Sequence, residues 1–248
     1  HVPPVTRERL MNGDWTIQEQ GLIQNGWLRY YQLTGSSSPK RGEVLHLLAP
    51  SGVIVLSLAA RDCRRFVTID PAGTSADRVR ERQGRQASWT VAQVWDQPWG
   101  VHSHVLILRD QVRERVGFDG LCRLLDRLHQ PWQPAQMWIE NEKLGQAAVD
   151  VLKSRLPLRT IATQSRDKVA RAAMLIDKLQ RGEIFLPKHD LQWRPQLEAE
   201  LLAWTGDPQE AADQIDAAAY AAILSAKNRP APVQLGALTL PLFSAAHS

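Results

Sequence analysis

Four acidic residues of this chain stand where their chemistry could be used. Asp70 closes the run within RRFVTIDPAGTS (residues 64–75). There Phe66, Val67 and Ile69 have the aromatic and β-branched character of a half-buried strand, and Pro71 and Gly73 cut the run at once. Glu140 closes a second such run in AQMWIENE. Asp213 and Asp216 lie in EAADQIDAAAYAAIL, where Ala212, Ile215, Ala219 and Ile223 repeat at helical spacing and Asp213, Asp216 and Tyr220 border that stripe. A carboxylate at the end of a core strand costs free energy unless a turn or a cation meets it. Clustered carboxylates repel and raise one another's pKa; Mg²⁺ or Mn²⁺ reverses that balance, and these ions select oxygen ligands. Two acids at the ends of adjacent parallel strands plus one on a terminal helix is what two-metal phosphodiester hydrolysis asks for. Each acid also has a plainer use: an Asp before Pro starts turns, and the others suit a strand end or a polar helix face.

The elements that must position these acids follow from periodicity. Strand-like runs end at Asp70 and cover SWTVAQVW (88–95) and HVLILRD (104–110), with connections short enough for an antiparallel meander. The period then changes to 3.6: Leu121, Leu124, Leu125 and Leu128 predict a helix ended by Pro131 and Pro134. The strand closing on Glu140 follows, then a helix with Leu144, Ala147, Ala148, Val151 and Leu152 as its apolar positions. A strand over LRTIAT (158–163) leads to a helix striped by Val169, Ala172, Ile176 and Leu179. Two more helices are predicted over roughly 194–205 and 208–227, the second with Asp207 as N-cap, Pro208 at N1 and Glu210 at N3. Three antiparallel strands followed by βαβ crossovers define an α/β domain with a mixed five-stranded sheet flanked by helices. If the first and fourth strands are neighbours, Asp70 and Glu140 lie within about 5 Å, one inter-strand spacing. Residues 1–62 form a β-rich N-terminal extension with strands at RYYQL, VLHLL and VIVLSL, and residues 228–248 a tail.

The chain has 248 residues, 44% of them hydrophobic, and a net charge of +4, so it can bury a sizeable core and tolerates a polyanionic partner. No apolar run approaches the roughly 20 residues of a membrane helix, and the N-terminus lacks the apolar stretch of a secretion signal. The expectation is a protein that is neither membrane-bound nor secreted. Cys63 and Cys122 form no CxxC pair, and His102 and His104 lack a third ligand. Arg78, Arg80, Arg82 and Arg85 follow Asp70 closely and are candidates for nucleic-acid contact. There is no GxxxxGK[ST] phosphate cradle, and the chain opens on His1, which predicts a piece of a longer protein.

VTIDPAG, the Ser88-Trp89-Thr90 start of the second strand, WIENEKLG, SRDKVARAAMLIDKLQRGEIFLP and ADQIDAAAY together resemble the C-terminal, ribonuclease H-like nuclease domain of tailed-phage large terminases. VPPVTRERLMNGDW resembles the end of the ATPase domain that precedes it. The resemblance implies that residues 1–62 link to an ATPase motor, that 63–227 form the ribonuclease H-like nuclease, and that Asp70, Glu140 and Asp213 bind two catalytic Mg²⁺ or Mn²⁺ ions. It further implies cutting of concatemeric double-stranded DNA in the host cytoplasm, with a portal and a small terminase subunit as partners. The family often has paired aspartates before the last helix. Here Ala212 precedes Asp213, so Asp216 is a further candidate ligand, and Glu142 competes with Glu140. Lys168 and Arg171 match the basic positions of a K-x-x-R stretch; at i, i+3 on a helix they could hold a DNA phosphate. The same acids would serve a junction resolvase or a transposase-like nuclease, and a non-catalytic docking module for portal or DNA is the reading outside enzymes.

Overall fold

The computed structural model describes residues 21–35, 42–72, 89–162, 167–189, 191–210 and 212–227. Among these residues nine strands form one mixed sheet: β1 (Arg29–Thr34), β2 (Val44–Leu48), β3 (Ile54–Ala59), β4 (Cys63–Asp70), β5 (Thr90–Pro98), β6 (Leu106–Glu114), β7 (Gln136–Glu140), β8 (Leu158–Ile161) and β9 (Ile184–Pro187). Among the described residues five α-helices flank it: α1 (Phe118–Trp132), α2 (Lys143–Leu152), α3 (Lys168–Gln180), α4 (Arg194–Ala203) and α5 (Asp213–Lys227). The strand order is β3-β2-β1-β9-β6-β5-β4-β7-β8.

The five expected strands are the contiguous block β6-β5-β4-β7-β8. β4, β5 and β6 pair antiparallel, while β7 and β8 extend the block in parallel through the α1 and α2 crossovers. The sheet is wider than those five because EIFLP, which carries no strand assignment in the sequence reading, forms β9. This short segment pairs parallel with both β6 and β1 and so splices the N-terminal β1–β3 meander onto the same sheet. Burial of side chains on both faces explains the run of apolar residues along β4 and β5. On one face Val67, Ile69, Ala92 and Val94 pack with α1 and α2; on the other Phe66, Trp95, Leu106 and Leu108 pack with α3, α4 and α5.

Two boundaries and the burial of one helix differ from expectation. Pro131 lies inside the last turn of α1, which ends on Gln133 in the left-handed conformation (φ 42°), its N–H bonded to His129 O at 2.9 Å. The last helix begins at Asp213, not at Pro208. Asp207 and Glu210 instead build a separate turn: Asp207 Oδ1 accepts from Gln209 N (2.8 Å), and the Glu210 carboxylate turns back to Thr205 N and Oγ1 (3.0 and 2.9 Å). α5 is also buried nearly all round, because Ala217, Ala218, Ala221 and Ala222 let it press against β4, β5, β6, α3 and α4.

Candidate metal and phosphodiester site

β4 and β7 are adjacent and parallel, in register from Phe66–Gln136 to Ile69–Ile139, so Asp70 and Glu140 are the next residues along neighbouring strands. Both strands stop there for local reasons. Pro71 offers no ladder donor, and Ala72 N bonds to Thr90 Oγ1 (3.0 Å). Glu142 N folds back on Glu140 O (2.8 Å) and Asn141 N reaches Ile161 O (2.8 Å), turning the chain into α2. Alternation along β4 and β5 directs Asp70 to the face covered by α5. The first turn of α5 supplies Asp213 and Asp216, with Tyr220 one turn beyond. Asp70, Glu140 and Asp213 are each only 6–7% exposed.

Arg171 of α3 meets this acid group directly: its Nη1 lies 3.5 Å from Glu140 Oε1 and its Nη2 3.3 Å from Asp216 Oδ1. Asp213 Oδ2 accepts from Trp89 N at 3.2 Å. The electrostatics follow. Burial pushes the Asp70 carboxyl well above the usual carboxylate range, the charges of Asp216, Glu140 and Asp213 push it further, and Arg171 opposes them. Burial also raises Glu140, reinforced by Glu142, while Tyr220 and Arg171 lower it. The Tyr220 hydroxyl is itself raised well above the ordinary phenol value by burial and then by Asp70 and Glu140. It stands close enough to Glu140 to lower that carboxyl, yet among the described residues no atom meets it in hydrogen-bond geometry.

Beneath the acids a buried polar ladder pins the start of α5. Gln93 Nε2 donates to Gln111 Oε1 (2.8 Å), Gln111 Nε2 to Gln214 Oε1 (2.6 Å), and Gln214 Nε2 to Glu200 Oε2 (2.5 Å). Gln93 Nε2 also reaches Gln214 O at 3.0 Å, which ties β5 to the turn that carries Asp213. These positioning residues were not singled out in the sequence; glutamines at alternate positions of otherwise apolar strands were the available signal.

The donor set fits hard divalent cations. It is all oxygen and buried, it contains carboxyls destabilised by their own charge, and it includes a buried hydroxyl without a hydrogen-bond partner among the described residues. Among the described residues no three Asp, Glu, His or Cys side chains stand in ion-holding geometry, and Arg171 contacts both Glu140 and Asp216. Of the remaining expected site residues, Lys168 lies at the start of α3 and donates to Glu210 O (2.7 Å), and Arg78, Arg80, Arg82 and Arg85 lie outside the described residues. No described helix is long and apolar enough to cross a membrane.

The fold and site together define an α/β domain whose central sheet gathers acids at the carboxyl ends of two parallel strands. Its structural neighbours are nuclease domains of terminase large subunits. The large terminase nuclease of thermophilic phage G20c, with bound magnesium, has a TM-score of 0.48 at 13% identity and covers 82% of this chain and 96% of that one. The human cytomegalovirus terminase nuclease domain has a TM-score of 0.44 at 16% identity, covering 65% and 82%. The g2p (large terminase) nuclease domain of bacteriophage SPP1, with bound Mn, has a TM-score of 0.44 at 14% identity, covering 70% and 90%. No protein-family model and no curated protein sequence matches the chain.

Proposed function

We propose that this chain is a metal-dependent endonuclease domain that hydrolyses phosphodiester bonds of double-stranded DNA, working within a viral DNA-packaging terminase. The observation that carries the reading is Asp70. It is a buried carboxyl in strand register beside Glu140, faced by Asp213 and Asp216, and raised by their charges with one arginine to offset them. Asp70, Glu140 and Asp213 would hold two Mg²⁺ or Mn²⁺ ions, with Asp216 at the margin. When bound, such ions activate water for in-line attack and stabilise the leaving 3′ oxygen.

The chain's own residues prepare that chemistry. The strand ends fix Asp70 and Glu140 on rigid backbone, and the glutamine ladder fixes the turn bearing Asp213, so little reorganisation remains when substrate arrives. Arg171 offsets the negative charge of Glu140 and Asp216. Tyr220, its pKa raised, keeps its proton, and its hydroxyl stands beside Glu140. The terminase setting follows from the sequence resemblance, and with it an ATPase motor, portal and small subunit as partners, concatemeric DNA as substrate and the host cytoplasm as the place of action. Lys168 and the arginines at 78, 80, 82 and 85 would hold the DNA backbone without reading sequence.

The test is nicking of supercoiled plasmid in Mn²⁺, Mg²⁺ or EDTA by the parent chain and by Asp70→Asn. Metal-dependent nicking that the substitution abolishes is expected. A folded parent that is inert with both metals refutes an autonomous nuclease, and preference for a four-way junction over linear duplex moves the reading to a resolvase.

A further inference from the structure

Beside the acid group lies a basic and aromatic cluster that the sequence reading did not assign. Trp89 precedes β5; its backbone N–H is the donor that holds Asp213. Its indole is covered by two guanidiniums from the end of β6 and just beyond: Arg113 with its Cζ 4.9 Å from the ring centroid, and Arg115 at 4.2 Å. The strand registers place this cluster relative to the acids. Asp70 pairs with Val91 and Val91 with Arg113, so Asp70 and Arg113 lie on the same face of the sheet, two strands apart. That separation is about 10 Å, the rise of about three nucleotides along one strand of a duplex.

From this geometry we infer that Trp89, Arg113 and Arg115 form a backbone-binding site for double-stranded DNA, one that seats the phosphates flanking the bond presented to the acids. The inference rests on the proposed nuclease reading and adds the contact that lets a polyanion approach four carboxylates. Stacking engages the flat face of a guanidinium, whereas phosphate recognition uses its N–H edge, so one arginine can do both. The indole therefore holds two cations at a fixed position. Because arginines occupy the ring, base stacking is not its task, and the site reads backbone rather than sequence. Arg113 contributes from a partly buried position: its Nη2 stands 3.7 Å from Glu200 Oε2, and its buried Nε has no hydrogen-bond partner among the described residues. Arg115 is exposed at the rim. The shared element is Trp89, whose main chain orients a candidate metal ligand while its side chain orients the cations. DNA seated here would therefore be in fixed register with Asp213.

The experiment measures affinity for a labelled linear duplex in EDTA across a salt series, for the parent, Arg115→Ala, the Arg113→Ala/Arg115→Ala double variant, Trp89→Leu and Arg61→Ala. Arg61 is highly exposed and lies in the turn before β4, so its removal controls for net charge. Each lost phosphate contact should flatten the plot of log affinity against log salt by about 0.9. Arg115→Ala should show one such step and the double variant two. Trp89→Leu should weaken binding while keeping the slope, and Arg61→Ala should leave it unchanged. A parent that does not bind duplex, an Arg115→Ala slope equal to the parent's, or an equal flattening from Arg61→Ala overturns the inference. If the double variant fails to fold, the single exposed substitution still decides. A parent that binds through Arg115 yet never nicks plasmid refutes the nuclease reading alone; one that nicks normally with an unaltered Arg115→Ala slope refutes the clamp alone.

Discussion

Gly145 sits in the first turn of α2, directly beneath the end of β7, and a methyl group there is expected to disable the site without touching a single acid. A Cβ built on Gly145 falls 2.0 Å from Glu140 O, with Glu140 C at 3.2 Å and Ile139 Cγ1 at 3.4 Å. Real Cβ contacts essentially never come under 3.0 Å, so the start of α2 or the end of β7 must yield by about 1 Å, and no side chain can rotate away because the obstacle is backbone. Overpacking of this kind costs about 1–3 kcal/mol, which for a chain of this size lowers Tm by about 2–12 °C. The displaced backbone is that of Glu140 itself, and a misplacement near 1 Å can cost about 10²-fold in rate. The assay is plasmid nicking with Mn²⁺ alongside a thermal melt of Gly145→Ala, with Gly26→Ala as control because a Cβ there meets nothing within 4 Å. A Gly145→Ala protein that melts with the parent and nicks at its rate refutes the packing argument. One that melts lower but nicks normally refutes the claim that the Glu140 backbone position matters.

Asp70→Asn should reduce nicking by about 10²–10³-fold, the scale of a lost electrostatic group in an active site. It should also forfeit the stabilisation that Mn²⁺ gives the parent, about 2.7 kcal/mol at one hundred times Kd and read as a rise in Tm; an undiminished rise in the variant counts against Asp70 as a ligand. Asp96 is fully buried between Arg65 (Nε–Oδ1 2.7 Å) and Arg109, which also pairs with Glu43. Asp96→Ala removes the counter-charge that both buried guanidiniums share and should cost about 3–5 kcal/mol by denaturant unfolding. Burial, then the charge of Asp96, pushes the Cys63 thiol up to about 12. A thiol reagent at mildly alkaline pH should therefore modify the half-buried Cys122 in the native protein and Cys63 only at the rate of unfolding; fast labelling of both refutes this. The Glu200 carboxyl is raised chiefly by burial. The stability it contributes is full below the unfolded carboxylate value, about 4.3, and is lost as pH rises through the folded one. Glu200→Gln should flatten the fall of Tm with rising pH over that window, and a parallel pair of curves refutes the assignment.

Much of the central block was legible because it is local. Short runs rich in apolar and β-branched residues marked β4 to β8, and leucine spacing marked α1, since both are properties of neighbouring residues. Punctuation was harder to read. DPQE has the residues of a helix start, but the Glu210 carboxylate closes a turn on Thr205 instead, a choice made by a partner five residues away. EIFLP is too short and uniformly apolar to declare itself, and becomes β9 only because β6 and β1 flank it.

For the site, a charge that ends a buried run drew attention to Asp70 and Glu140, and a place at the border of an apolar helical stripe drew it to Asp213 and Asp216, each within its own segment. What brings them together is not local. The parallel pairing of β4 with β7, the alanines that let α5 press onto the sheet, and the glutamine ladder join positions more than sixty residues apart along the chain. Arg171 shows the same division. Its spacing from Lys168 described one helix face, but its partners, Glu140 on β7 and Asp216 on α5, are set by how α3 packs between them. Side-chain chemistry is written residue by residue in the sequence. Which charges share one low-dielectric volume depends on long-range packing, and only the tertiary structure decides it.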